Sequence, residues 1–211
     1  RQEVTYRRPA KPQCRTARSK VREWLMGRGL TEQTIEDFKI GEQTKGGKDL
    51  AVFPYLRDGE LVNAKYRDIA EKKGMRQEAG AEPCLFGWHL IDPRARSVAI
   101  TAGEIDAMSW AAYGVPAMSV PYGGGKGAKQ NWIESEFDRL DRFERIYVST
   151  DMDQVGDEAA EEICSRLGRH RCFRVTLPHK DANECLVNGV TKEAMLNLLA
   201  KAASMDPDGL K

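Results

Sequence analysis

At 211 residues, with 41% apolar and 31% charged side chains and a net charge of +1, the chain can bury a full core and is not a polycation. No apolar run approaches the roughly 20 residues of a membrane span, and the basic start lacks the apolar stretch of a signal peptide, so a cytoplasmic protein with no membrane partner is expected. Five scattered cysteines (Cys14, Cys84, Cys164, Cys172, Cys185), odd in number and never spaced Cys-x-x-Cys, argue for a reducing compartment and against a disulfide framework or structural zinc.

Charge is unevenly spread along the chain. Residues 1–22 hold eight Lys/Arg against Glu3 alone, a local +7 that leaves −6 for the rest. Arg15, Arg18, Lys20 and Arg22 in this segment are candidates for contact with nucleic-acid phosphates. A solvated linker arm is equally open for Arg1 to Lys11, where Pro9 and Pro12 discourage helix. Lys20 to Leu30 reads as a helix, and Thr31 caps a second one through Phe38. The alternating run Asp49 to Leu56 turns at Asp58-Gly59, a hairpin signal, and returns through Leu61 to Arg67. The basic group Lys65, Arg67, Lys72 and Lys73 on and after the return strand has a bland reading as lysines that deter edge pairing. Beyond a boundary near Pro93 the pattern changes. Strands at 98–101, 115–120, 146–150 and 172–177 alternate with helices through Ala112, over 131–140, 155–167 and 192–202, which implies an α/β fold with a largely parallel, Rossmann-like sheet.

The strand ends carry the chemistry. Asp151 and Asp153 follow the apolar run Arg145-Ile146-Tyr147-Val148, and on an extended chain positions i and i+2 point to one side. They can converge on one or two hard divalent cations, which serve phosphoryl chemistry by clamping attacking and leaving oxygens. Taken alone, such a pair is more often a solvated loop or helix cap. Two further strand ends, Gly103-Glu104-Ile105-Asp106 and Lys180-Asp181-Ala182-Asn183-Glu184, bring carboxylates to the edge where parallel sheets gather ligands. Asp181 reads as a third ligand or orienting carboxylate, or else as an Asx turn. Asp106 reads as a supporting carboxylate, or as an acid favoured by the helix dipole. The loop Gly123-Gly124-Gly125-Lys126-Gly127 could cradle phosphate through its N–H groups and Lys126, yet is not a Walker A sequence because no Ser or Thr follows the lysine. Lys180 is a candidate phosphate contact, whereas His170 and His179 show no metal-ligand pattern.

Gly-Glu-Ile-Asp at 103–106, Asp-Met-Asp-x-x-Gly at 151–156 and Lys-Asp-Ala-Asn-Glu at 180–184 together resemble the TOPRIM domain of DnaG-type primases, and in particular phage bifunctional primase–helicases. Gly27 to Thr31, Tyr55 to Asp68 and Cys84 to His89 are similar to the subdomain that precedes TOPRIM there, and Asp206-Pro207-Asp208-Gly209 to the start of a helicase linker. The resemblance implies a basic linker arm at 1–19, an N-terminal α+β primase subdomain at 20–95, a TOPRIM catalytic domain at 96–203 and a linker start at 204–211. It further implies synthesis of short RNA primers from ribonucleoside triphosphates on a single-stranded DNA template. Mg²⁺ or Mn²⁺ would sit on Asp151 and Asp153, with Asp106 and Asp181 in catalytic support, and Lys65, Arg67, Lys72, Lys73, Lys126 and Lys180 would bind nucleotide. Helicase and zinc-binding domains are the implied partners in the full-length protein. One position departs from the pattern: Thr101-Ala102-Gly103 stands where the family has Thr-Glu-Gly. The missing glutamate is the family's general acid/base, and alanine can neither take a proton nor bind a cation, so the chemical step is expected to be crippled. Glu104 belongs to its own motif and is no shifted replacement. Because every other motif is intact, a single inactivating replacement accounts for the chain better than natural decay. A TOPRIM nuclease, and a non-catalytic module that binds single strands or docks a helicase, are the alternatives.

Overall fold

A computed structural model describes residues 4–71 and 74–208, so Lys72 and Lys73 lie outside the described residues. The described residues form two five-stranded sheets, one antiparallel and one mostly parallel. From Arg7 on, the described part of the basic leading segment docks against the antiparallel sheet. Arg7 N–H donates to Gly80 O at 2.9 Å, and β1 (Arg15–Thr16) pairs antiparallel with β2 (Gly41–Lys45). Between them lie α1 (Lys20–Met26) and α2 (Glu32–Asp37), the latter capped by Thr31, whose side chain accepts the Thr34 N–H at 3.2 Å.

β3 (Lys48–Arg57) and β4 (Glu60–Asp68) make the predicted hairpin. Its two-residue turn needs a left-handed backbone at both positions, supplied by Asp58 at φ 51° and Gly59 at φ 77°. β5 (Arg76–Gln77) completes the antiparallel sheet on β4.

The second sheet is built from β6 (Ser97–Thr101), β7 (Ala117–Ser119), β8 (Arg145–Ser149), β9 (Cys172–Arg174) and β10 (Ala203–Ser204) in the order β10-β9-β8-β6-β7, parallel except for β10. Both faces of such a sheet must be covered, which is why its strands read as nearly continuous apolar runs. Val98, Ile100, Ile146 and Val148 face α4 (Trp132–Leu140) and α5 (Gln154–Leu167). On the other side Ala99 and Tyr147 join a core with α3 (Glu104–Ala112), α6 (Ala182–Val187), α7 (Lys192–Ala200) and the antiparallel sheet.

The same core holds the two sheets together. Phe86 stacks on Phe38 with centroids 5.2 Å apart and also meets Tyr55 at 5.3 Å. Its backbone exchanges two hydrogen bonds with Ser119 of β7, at 2.9 and 3.0 Å. A buried polar clamp adds direction: Glu136 of α4 accepts from Arg57 of β3 at 2.9 Å, from Leu85 N–H at 3.2 Å and from the Trp88 indole. Such a carboxylate is tolerated in the interior because its oxygens are hydrogen-bonded and an arginine faces it.

Two local expectations were off. The segment read as an acidic loop contains α6, and the strands expected to run to 150 and 177 end at Ser149 and Arg174. Asp181 caps α6 by accepting the Glu184 N–H at 2.8 Å. The pattern Asp-x-x-Glu at 181–184 is a helix-start signal that the sequence reading passed over. No described helix is long and apolar enough to cross a membrane.

Candidate functional site

β6 and β8 lie side by side with Thr101 opposite Ser149, so the chain segments that leave them emerge together at one sheet edge. From β6 come Ala102 and, in the first turn of α3, Asp106; from β8 comes Asp151; the loop after β9 brings Asp181. One carboxylate oxygen each from Asp106, Asp151 and Asp181 lies within 4.8 Å of the other two, and all three residues are half-buried. Burial, then the Asp181 and Asp151 charges, push Asp106 well above the usual carboxylate range, against the Asn183 N–H that donates to it at 3.0 Å. Burial and the Asp181 charge raise Asp151 as well, opposed by Lys180, whose Nζ stands 3.8 Å away. Three mutually repelling oxygen donors held this close fit a hard divalent cation of the Mg²⁺ or Mn²⁺ type.

Asp153 is placed differently from its motif partner. Its side chain caps α5 by accepting the Gly156 N–H at 2.7 Å, and it is exposed, outside the group of three. The strand ends at Ser149, so the same-side geometry of an extended chain does not extend to 151 and 153. Asp106 occupies the third place instead. The segment 150–157 is closely braced: Thr150 Oγ1 donates to Gly156 O at 2.6 Å, and Met152 N–H donates to Lys180 O at 2.7 Å. Gly156 is needed here for close approach, since a Cβ on it would lie 1.8 Å from the Asp151 carbonyl oxygen.

Asp106 and Asp181 border a cleft of about 730 Å³ whose floor includes Ala102. The opposite lining comes from the antiparallel sheet and the turn after α1 and is cationic: Arg28, Lys65, Arg67 and Arg76, joined by Lys129 from the turn before α4. Arg28 and Arg67 both stack on Trp24, with their guanidinium carbons 4.7 and 5.1 Å from its ring centre. Burial and the charge of Arg28 lower the pKa of Arg67. Among the described residues Arg28, Arg67, Arg76 and Lys129 form no ion pair, so the wall carries charge in search of anions. Lys65 is buried and bound to Glu104 at 2.7 Å; Glu104 also accepts the Tyr55 hydroxyl at 2.5 Å. Glu104 thus faces the antiparallel sheet, away from a role in place of the absent Ala102 carboxylate.

Other predicted residues stand elsewhere. Lys126 pairs with Glu158 at 3.6 Å along the outside of α5, and Lys129 takes the cleft position expected of it. Arg15 pairs with Glu42 at 2.8 Å, Lys20 with Asp49 at 2.9 Å and Arg22 with Glu32. Together with exposed Arg18 they lie outside the cleft lining. The cleft arginines Arg28 and Arg76 were missed because each sits beyond a helix or in a two-residue strand, where no spacing rule applies.

Residues 99–186 match the Toprim-like family. The Twinkle homolog protein, chloroplastic/mitochondrial, of Arabidopsis thaliana is 32% identical over 200 residues, covering 84% of this chain. The DNA helicase/primase of Enterobacteria phage T3 is 30% identical over 190 residues, covering 88% of it. The chain spans only 28% and 33% of the length of these two relatives. Among solved structures, the primase fragment of the bacteriophage T7 primase-helicase protein superposes with a TM-score of 0.73 at 25% identity, over 92% of this chain and 83% of that one. The chain is a relative of the TOPRIM-containing, DnaG-type primases and resembles the primase domain of phage primase–helicases.

Proposed function

We propose that this chain is the RNA-polymerase part of a DNA primase, acting in a host-cell cytoplasm and impaired by Ala102. The observation that carries the reading is a cleft in which Asp106 and Asp181, with Asp151 within 4.8 Å of both, face an uncompensated cationic wall. Triphosphates carry the charge that such a wall attracts, and Arg28, Arg67, Arg76 and Lys129 would hold and orient them. Met75 and Tyr122 offer apolar surface in the same cleft for a base. Asp106, Asp151 and Asp181 would hold Mg²⁺ or Mn²⁺, which when bound neutralises phosphate charge and makes a hydroxyl easier to ionise. The proton of the attacking 3′ hydroxyl needs an acceptor beside this group, and Ala102 cannot serve. Asp153 and the leading basic residues Arg15, Arg18, Lys20 and Arg22 retain candidate roles, the first in the metal's surroundings and the others on template DNA. Helicase and zinc-binding domains remain proposed partners of the complete protein.

The experiment compares this chain, Ala102→Glu, and Ala102→Glu combined with Asp151→Asn in extension of a preformed oligonucleotide on single-stranded DNA with ribonucleoside triphosphates and Mn²⁺. Ala102→Glu should raise turnover by roughly 10²–10⁴-fold, the span of a typical general-base contribution, and Asp151→Asn should remove the gain. Equal turnover in all three refutes the reading. Degradation of nucleic acid without nucleotides would instead identify a nuclease, and strand binding without synthesis in every variant would identify a docking module, the alternative that Ala102 itself favours.

A further inference from the structure

We propose that Arg174 is a positioning residue for the metal-binding segment, acting through the backbone of Asp151. This inference rests on the metal reading of Asp106, Asp151 and Asp181. Arg174 stands in β9 opposite Val148 of β8, and its side chain is largely buried. Its guanidinium reaches past the end of β8. Nη1 donates to Thr150 O at 2.9 Å and, more weakly, to Val148 O at 3.4 Å; Nη2 donates to Asp151 O at 2.9 Å and to Asp157 Oδ1 at 2.8 Å.

The chemistry of the contact set is specific. Carbonyls just beyond a strand end have lost their ladder partners and need donors. A planar fork with fixed N–H directions can serve two successive carbonyls at once, which an ammonium cannot. Asp151 needs such a hold, because the Asp181 and Asp153 charges repel its carboxylate. Gly156 approaches the same carbonyl so closely that a methyl group there would collide with it. The Asp151 carbonyl is therefore held by Arg174 with Gly156 close against it. The guanidinium fixes where its carboxylate starts from without touching metal or substrate. Partners one step removed from ligands are known to tune metal affinity by about 10–100-fold.

The test titrates Mn²⁺ by water-proton relaxation and calorimetry against this chain and the Ala102→Glu variant, each with Arg174→Lys, Arg174→Gln, Asp157→Ala and Asp151→Asn. Amide hydrogen exchange at residues 150–153 is followed without metal. Arg174→Lys keeps the charge and the aliphatic stem but not the fork. It should weaken Mn²⁺ binding about tenfold and speed exchange at 150–153, with Tm and triphosphate affinity near the parent's. Arg174→Gln should weaken it further. Asp157→Ala removes only the carboxylate contact and should stay within about twofold of the parent. Parental Mn²⁺ affinity in both Arg174 variants overturns the proposal, and so does a global loss of structure in Arg174→Lys, which would make the residue a folding determinant. If Asp151→Asn also binds as the parent does, the metal reading has failed as well; loss in Asp151→Asn with no change at Arg174 isolates the failure to the positioning role.

Discussion

The segments that leave β6 and β8 start level with one another in register and have opposite characters. After β8, backbone groups of residues 150, 151, 152 and 156 are engaged by the Thr150 hydroxyl, the Asp153 cap, the Lys180 carbonyl and the Arg174 fork. After β6, the Thr101 hydroxyl donates to Gly103 O at 2.9 Å, α3 starts without a side-chain cap, and Ala102 shows its methyl group to the cleft. One segment is fixed in shape and keeps its carboxylate. The other presents only the Ala102 methyl group to the cleft.

The sharpest way to break the contrast is at its two glycines. Gly156→Ala forces backbone against backbone and should cost roughly 4 kcal/mol or more of stability, read by chemical denaturation, together with Mn²⁺ binding. Gly103→Ala meets only one Asp106 carboxylate oxygen, 3.3 Å away, and should cost under about 1 kcal/mol. Stability losses of equal size would erase the distinction.

Next in size, Ala102→Glu should tighten Mn²⁺ about tenfold, or about 1.4 kcal/mol, while lowering the Tm of the metal-free protein through added repulsion. A higher metal-free Tm would mean that the new carboxylate points elsewhere. Asp106→Asn should do the reverse. The folded-state pKa of Asp106 is raised, so the stability tied to its proton is present below the ordinary carboxylate range near ~3.9 and lost as pH climbs through the folded value. The asparagine should therefore stabilise the metal-free protein by about 1 kcal/mol at neutral pH and by nothing near pH ~4, while abolishing Mn²⁺ binding. A gain that persists in acid would assign the effect to packing.

The smallest effect separates cap from ligand at Asp153. Asparagine caps as well as aspartate, so Asp153→Asn should change stability by under about 0.5 kcal/mol, whereas Asp153→Ala should lose about 1 kcal/mol. If Asp153→Asn also lowers Mn²⁺ affinity strongly, the carboxylate swings from cap to metal on binding.

The fold and much of the site were legible from the sequence for a physical reason. A parallel sheet buried on both faces writes itself as apolar runs, and the Asp58-Gly59 turn requires backbone angles that few residue pairs supply. Sequence motifs also named the acidic residues. They did not say which of them meet, because Asp151 and Asp153 no longer alternate as strand residues once β8 has ended. Lys129 was overlooked beside the glycine-flanked Lys126, although the turn that follows Lys126 directs Lys129 into the cleft. Arg174 carried no motif at all, since its role depends on carbonyls more than twenty residues away. Charges of the leading basic run find acidic partners on and beside the antiparallel sheet, as in Arg8 with Glu60 of β4 and with Glu82.

The paired backbone of Phe86 and Ser119 has a consequence for how the cleft works. β7 is the last strand of the parallel sheet, and an open edge there would invite another chain to add on. Phe86 occupies that edge and at the same time belongs to the aromatic cluster under the antiparallel sheet. The carboxylate wall and the cationic wall are thereby riveted at one point. Sliding them apart would break two backbone hydrogen bonds at a buried position, at about 1–3 kcal/mol for each group left without a partner. On the primase reading, a triphosphate would meet walls that need not move to receive it, and its association rate should rise linearly with concentration, with no slow closing phase.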